Sequence, residues 1–347
     1  MTSYISTHSI TSSLRQSVLQ LQSELASNEV EMATGHYADT GVALGAKTAE
    51  AVSLQNEQDL LQSITSSNQI VVMRLNTTQD ILANLQSSAQ SLLNSLVQGN
   101  GSTTNANTIQ AAGESNLKAL IASLNTSVNG DYIFGGTNTA IQPVTDYYAS
   151  GSANKSAVDA AFLAAFGAPQ DSPAVSAISG GSMQDFLNTQ FAALFQGTSW
   201  HANWSSASDQ TLISHISGDQ TASTSVSANN PAFHELAQAY TMIADLGTQN
   251  LNSSAYGAVV STARGLLTSA ISNLTNVQAN VGITQSAISS ATNQISMQMN
   301  ILSTQAGNLE NVNTYEIATR VTNLQTQIET AYSLTSQLQH LSLVAYL

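Results

Sequence analysis

The stretch YEIATRVTNLQTQIETAYSLTSQLQHLSLVAYL, residues 315–347, decides how this chain folds. Ile317, Val321, Leu324, Ile328, Ala331, Thr335 and Leu338 recur at alternating steps of four and three. That spacing lays one narrow apolar seam along a helix, the pattern of a coiled coil rather than of a broad globular face. The other positions are mostly Thr, Gln, Asn and Ser, with Glu316, Arg320 and Glu329 as the charges. Such a helix has modest intrinsic propensity and few ion pairs to support it, so it needs a partner. The apolar residues Leu341, Leu343, Val344, Tyr346 and Leu347 close the stretch and predict docking onto another surface.

Outward from there, the same seam returns three times. Leu14, Val18, Leu21, Leu25, Asn28 and Met32 carry it near the beginning, with Asn28 either a polar residue that sets register or partner number or a helix end wetting its last turn. A glycine-broken stretch, GHYADTGVALGA (residues 35–46), reads as a loop. The longest seam then runs through Leu61, Ile64, Asn68, Val71, Leu75, Thr78, Leu82, Leu85, Ala89, Leu92 and Leu96 without a slip. It predicts a helix over 49–98, about 75 Å long at about 1.5 Å per residue. A shorter helix follows with Ile109, Leu117, Leu120, Leu124 and Val128, and Asn129-Gly130 is expected to close it as a glycine cap. Late in the chain, Phe233, Leu236, Ala237, Tyr240, Ile243 and Ala244 mark one amphipathic helix. A second rod is expected over 254–310, carrying Val260, Leu267, Leu274, Val281, Ile288, Ile295 and Met299. Asn68, Thr78 and Thr335 are polar seam residues, expected as tolerated positions in a wet bundle.

Between the rods the chemistry changes. All four prolines, all seven phenylalanines and both tryptophans lie within 131–233, and none of the ten glutamates does. Turn formers and bulky apolar residues between helix-forming flanks are the signature of an inserted domain. Residues 132–136, YIFGG, read as a strand entering a tight turn, and 157–167 and 183–195 as helices. The expected division is a terminal coiled-coil segment and loop (1–45), a rod (46–130), an inserted outer domain (131–233), a returning rod (234–313) and a terminal helix (314–347). Long helices flanking an insert pack antiparallel, which returns the last helix beside the first. The expected fold is mainly α: an elongated antiparallel long-helix bundle with terminal coiled-coil helices and an inserted α+β outer domain.

Composition narrows the function. Only 8% of residues are charged, against roughly a quarter in ordinary domains, and seven Lys+Arg face 21 Asp+Glu for a formal charge of −14. The basic residues are scattered singly, so no patch exists to neutralise phosphates, which argues against nucleic acid and an anionic membrane surface. There is no cysteine, which removes disulfides, thiolate metal sites and thiol nucleophiles. The first residues lack the basic-then-apolar pattern of a secretory signal, and no apolar run is long enough to cross a bilayer. The six histidines have no i, i+4 partner, and His201 and Asp209 near Ser205 are a chance grouping rather than a triad. The reading is a non-enzymatic chain without cofactor or metal. A secreted enzyme or adhesin on a helical stalk would instead place its activity within 131–233.

The residues that close the chain, Leu341-Ser342-Leu343-Val344-Ala345-Tyr346-Leu347, are similar to the closing motif of the flagellin superfamily. Met32-Ala33-Thr34-Gly35 resembles the turn that ends its first helix, and Asp131-Tyr132-Ile133-Phe134-Gly135-Gly136-Thr137 resembles the outer-domain entry of its hook-associated, junction-forming branch. Filament-forming members carry an acidic pair soon after the first glycine turn, whereas this chain has Ala38-Asp39-Thr40-Gly41-Val42-Ala43-Leu44-Gly45, with one Asp. The resemblance covers 1–136 and 234–347. It implies a structural flagellar protein, exported without a cleaved signal through the flagellar type III channel, whose terminal helices order on assembly. It further implies other flagellar proteins as partners: the preceding hook-associated junction protein, flagellin, copies of itself in a ring, and an export chaperone. The alternative within the superfamily is a filament-forming flagellin. On this reading Leu14, Val18, Leu21 and Leu25 face Ile317, Val321, Leu324 and Ile328, and Leu338, Leu341, Leu343, Tyr346 and Leu347 form the terminal docking surface.

Overall fold

The structure, a computed structural model, describes residues 7–99, 101 and 103–344, with side chains within 9–337. It divides into two compact units, one of Met1–Ser63 and Ile295–Leu347, the other of Ile64–Gln294. Among the described residues it is mainly α, with two short β-hairpins.

The first unit holds α1 (Thr7–Thr34), the single-turn α2 (Thr40–Leu44) and α10 (Thr314–Val344), with the beginning of α3 (Thr48–Gly99) and the end of α9 (Ser253–Glu310). The 35–46 loop is less irregular than its glycines suggest. Asp39 caps α2, its Oδ1 accepting from the Val42 N–H at 2.9 Å. Gly35 and Gly45 turn the chain at φ +75° and +53°.

The second unit is built on antiparallel helices. Asn68 of α3 reaches Thr292 of α9, Asn76 accepts from Gln285, Gln79 reaches the Gln278 carbonyl and Gln86 reaches Thr275. Rising numbers on one helix meet falling numbers on the other, so α3 and α9 run in opposite directions. Between these polar edges the expected seam is buried: Leu75, Leu82, Leu85, Ala89, Leu92 and Leu96 against the Val260, Leu267, Leu274, Val281 and Ile288 face. Each such leucine contributes about 1.5–3 kcal/mol on leaving water. The shorter helices α4 (Ala106–Leu124) and α8 (Pro231–Asp245) pack together closely at Gly113, where a Cβ would stand 2.7 Å from Ile243 Cγ2.

Asn129-Gly130 does something other than expected. Helix α4 ends at Leu124, and β1 (Ser127–Val128) pairs with β2 (Asp131–Tyr132). Asn129 at φ +55° and Gly130 at φ +91° form the two-residue turn between them, the conformation that matches strand twist. Asn-Gly serves both caps and hairpins, and the flanking pairing decided.

Residues 131–233 contain α5 (Ala153–Phe166), α6 (Gly180–Phe186), α7 (Gly197–Asn203) and the antiparallel hairpin β3 (Ile213–His215) with β4 (Thr221–Ser223). A single π-turn over Leu187–Phe191 follows α6. The aromatic residues concentrated here pack on one another: Phe162–Phe186, Phe186–Phe191, Phe191–Phe195 and Phe195–Trp204 centroids lie 5.0–5.8 Å apart. Trp200 stacks on Trp204 at 5.5 Å and 7°. Their cluster is continuous with that of α3, α4, α8 and α9. Asn68 and Thr78, read as wet positions, are instead 1% and 2% exposed. The Asn68 amide donates to the buried Ile216 carbonyl at 2.9 Å, which holds the β3–β4 end onto the helices, and Thr78 bonds back to the Arg74 carbonyl.

Gly113→Ala gains about 1 kcal/mol of helix propensity against about 1–3 kcal/mol of overpacking. A net loss of about 1 kcal/mol is expected in thermal unfolding followed by tryptophan signal, and Gly113→Leu should lose considerably more.

Candidate assembly interface

Helix α1 and helix α10 pack along their length in the first unit. His36 bridges Asn311, the Val312 N–H donates to the Gly35 carbonyl at 2.9 Å and the Tyr37 N–H to the Glu310 carbonyl at 3.1 Å. Fourteen positions back from His36, Gln22 Nε2 donates to the Tyr332 hydroxyl at 2.8 Å. The pair is therefore antiparallel, and the loop after Gly35 sets its register.

The two expected residue sets meet in one seam. Val18 is buried and Leu14, Leu21 and Leu25 are half-buried; facing them Ile317, Val321, Leu324, Ile328 and Ala331 are all buried. The seam departs from its expected course at the last turn of α1. Met32 is 44% exposed, and beside it the half-buried Glu31 accepts through Oε1 from the Ala38 N–H of the chain beyond Gly35. Leu338, Leu341 and Leu343 belong to α10, but their side chains, with the whole of Tyr346 and Leu347, lie outside the described residues.

What the spacing reading missed is a second apolar stripe on α1. Leu19, Ala26, Val30 and Ala33 step by seven, four and three, about a third of a turn round from the seam. All four are exposed, Leu19 by 59% and Val30 by 50%. Helix α10 adds Tyr315, Tyr332 and Leu334 as exposed apolar residues. The stripe was legible in the same four-three arithmetic.

Elsewhere the polar groups serve packing. Ser205 donates to Asn229 Oδ1 at 2.6 Å rather than to a histidine, and His201 Nε2 stands 3.7 Å from Asp209 Oδ2. Tyr147 and Lys155 both donate to Asp245, at 2.6 and 2.7 Å. Among the described residues no group of three His, Asp or Glu is placed to hold a metal ion, and no helix is long and apolar enough to cross a membrane. A cavity of about 620 Å³ is an open groove between Ser223, Ser225 and Asn229 on one side and Val277, Asn280 and Val281 of α9 on the other.

Comparison with known proteins bears on this arrangement. Residues 5–139 match the bacterial flagellin N-terminal helical region and 265–347 the bacterial flagellin C-terminal helical region, together more than half of the chain. The chain belongs to the flagellin family. It is thereby a structural component of the bacterial flagellum, assembled outside the cell with other flagellar proteins. In fold it is similar to a candidate flagellar hook-associated protein from Vibrio parahaemolyticus, with a TM-score of 0.55 at 11% identity over 76% of this chain and 97% of that one. No curated protein sequence matches it.

Two expectations follow. Ile328→Ala removes a buried seam side chain, worth about 2–5 kcal/mol in a well-packed site. Amide exchange should therefore quicken in α1 and α10 together while 64–294 keeps its protection. The second concerns His234, half-buried against Trp200 at 4.0 Å between ring centroids. Burial first, then the neighbouring His201, lowers its pKa to about 4, with Asp209 opposing. The unfolded chain, with histidine near 6.5, binds the proton first. Stability is then greatest above about 6.5 and falls as pH drops toward 4. His234→Phe should flatten the melting temperature across that interval.

Proposed function

We propose that this protein is a junction adapter, joining the preceding hook-associated ring to the first flagellin subunits through terminal helices that order on assembly. The observation that carries the assembly reading is that α1 is apolar on two faces, with α10 covering one and the Leu19–Val30 stripe left exposed. A helix buried on one side only gains nothing from a second apolar stripe in the monomer; a neighbouring subunit supplies the missing cover. The preference for a junction over a filament rests on the segment after Gly35. Filament-forming members have an acidic pair there, whereas Asp39 stands without a neighbouring acid, its carboxylate engaged in capping α2.

In this reading the seam of Leu14, Val18, Leu21 and Leu25 with Ile317, Val321, Leu324 and Ile328 forms the inner layer. Leu338, Leu341, Leu343, Tyr346 and Leu347 extend it as the docking surface. Segments 1–45 and 314–347 belong to that inner layer, 46–130 and 234–313 to the rods, and 131–233 to the outer face. Copies of the chain form a ring, and an export chaperone covers the terminal helix before export. Family membership points to a structural rather than a chemical role, consistent with the enclosed aromatic cluster in 131–233.

Seeded assembly of the purified chain, watched by light scattering and electron microscopy, tests this. The expected result is a protein that stays soluble alone and caps hook ends carrying the preceding junction ring. Elongation into filaments with salt or seeds would make it a filament flagellin instead. Deleting 341–347 should abolish capping while leaving the 64–294 unit folded; a large loss of helix in that truncated monomer would count against the docking role.

A further inference from the structure

The groove between the 209–231 segment and α9 has polar walls over an aliphatic floor, and the wall from the segment is fixed by its own bonds. Asn229 spends its whole carboxamide there. Its Oδ1 accepts from Trp200 Nε1 at 2.9 Å and from Ser205 Oγ at 2.6 Å. Its Nδ2 donates to the Ala207 carbonyl at 2.9 Å and to Asp209 Oδ1 at 2.7 Å, and the second of these bonds holds the Asp209 carboxylate at the groove. Ser225 Oγ accepts from the Leu212 N–H and Thr211 Oγ1 from Ser223 Oγ, both at 2.8 Å, so each of these two hydroxyls keeps its own hydrogen to donate.

The facing wall belongs to α9. Thr268, Thr275 and Thr304 of that helix turn their hydroxyls back onto carbonyls one turn earlier. Thr284 does not, and neither it nor Asn280 has a hydrogen-bond partner among the described residues. Between the walls lie the buried Leu75, Val277 and Val281. No Lys, Arg or His lines the groove, so nothing there neutralises a phosphate or a carboxylate, and Asp209 repels both. A wholly apolar ligand would leave the hydroxyl and carboxamide walls unpaired.

We propose that this groove binds a short neutral oligosaccharide. A sugar presents hydroxyls that both donate and accept along its edge, and C–H groups on its faces for the aliphatic floor. Its neighbouring hydroxyls suit Asp209, which offers two acceptors, and Asn280, which sets a donor beside an acceptor. The volume of about 620 Å³ falls within the range of about 300–1,000 Å³ usual for small-molecule sites. An extended peptide would instead need separate pockets for its alternate side chains, and the groove has a single aliphatic strip. Every lining residue lies within 64–294, so the proposal does not depend on the terminal helices or on the junction reading.

The test titrates the full-length protein with maltotriose, cellotriose and chitotriose by isothermal calorimetry. Tryptophan emission gives a second readout, because Trp200 is bonded to Asn229 on the groove wall. At least one trisaccharide is expected to bind. Asn280→Ala or Thr284→Val should weaken that binding about five- to tenfold, without a fall in melting temperature. Failure of all three sugars to bind the wild type would overturn the proposal. Binding that neither variant weakens would overturn it as well, because the sugar would then sit elsewhere. A neutral peptide rich in Ser and Asn that binds where the sugars do not, and loses affinity on Thr284→Val, would overturn it in favour of an extended chain.

Discussion

The antiparallel contact between α3 and α9 is the constraint on which the second unit depends. Neither helix is a strong isolated former: both are rich in Ser, Thr, Asn and Gln, and charges are sparse. What keeps them helical is the continuous burial of one face, Leu75 through Leu96 on α3 against Val260 through Ile288 on α9. The polar residues beside that face pair across it, as Gln79 does with the Gln278 carbonyl and Asn76 with Gln285. Once the two helices are held in register, their remaining surface takes α4, α8 and the aromatic cluster of 131–233. Gly113 marks how close that second layer comes.

The terminal pair obeys the same physics with less to spend on it. Its seam is apolar and matched, but three of the four α1 seam residues, Leu14, Leu21 and Leu25, remain partly solvated, an unpaired carboxamide oxygen is buried within it, and a second apolar stripe is left uncovered. The two units thus contrast within one chain: the second encloses its tryptophans and most of its phenylalanines in one buried cluster, while the first has only the narrow seam. For a flagellin-family protein that contrast is informative, since a subunit must be stable before assembly and still have surface to give to its neighbours.

Much of this was legible without coordinates. The four-three spacing placed α3 within a residue of its ends, predicted 49–98 against Thr48–Gly99, and placed α9 and the start of α10 as closely. On α10 the same spacing picked out Ile317, Val321, Leu324 and Ile328, all of which are buried. The crowding of Phe, Trp and Pro into 131–233 marked a different kind of core, since bulky rings fill space that long helices alone do not enclose.

Other features were set by contacts the spacing does not encode. Asn129-Gly130 is a hairpin turn rather than a helix cap because Ser127 and Val128 found strand partners in Tyr132 and Asp131. Met32 is left exposed at the last turn of α1, where Glu31 instead accepts from the Ala38 N–H of the returning loop. Asn68 proved to be a buried donor because the carbonyl it satisfies, that of Ile216, lies 148 residues away. The order of residues along one helix determines which face is apolar and how far it extends, since that is a local periodicity. Which groups meet on that face, and which polar atoms go unanswered there, depends on distant segments arriving at the same place, and only the tertiary structure decided it.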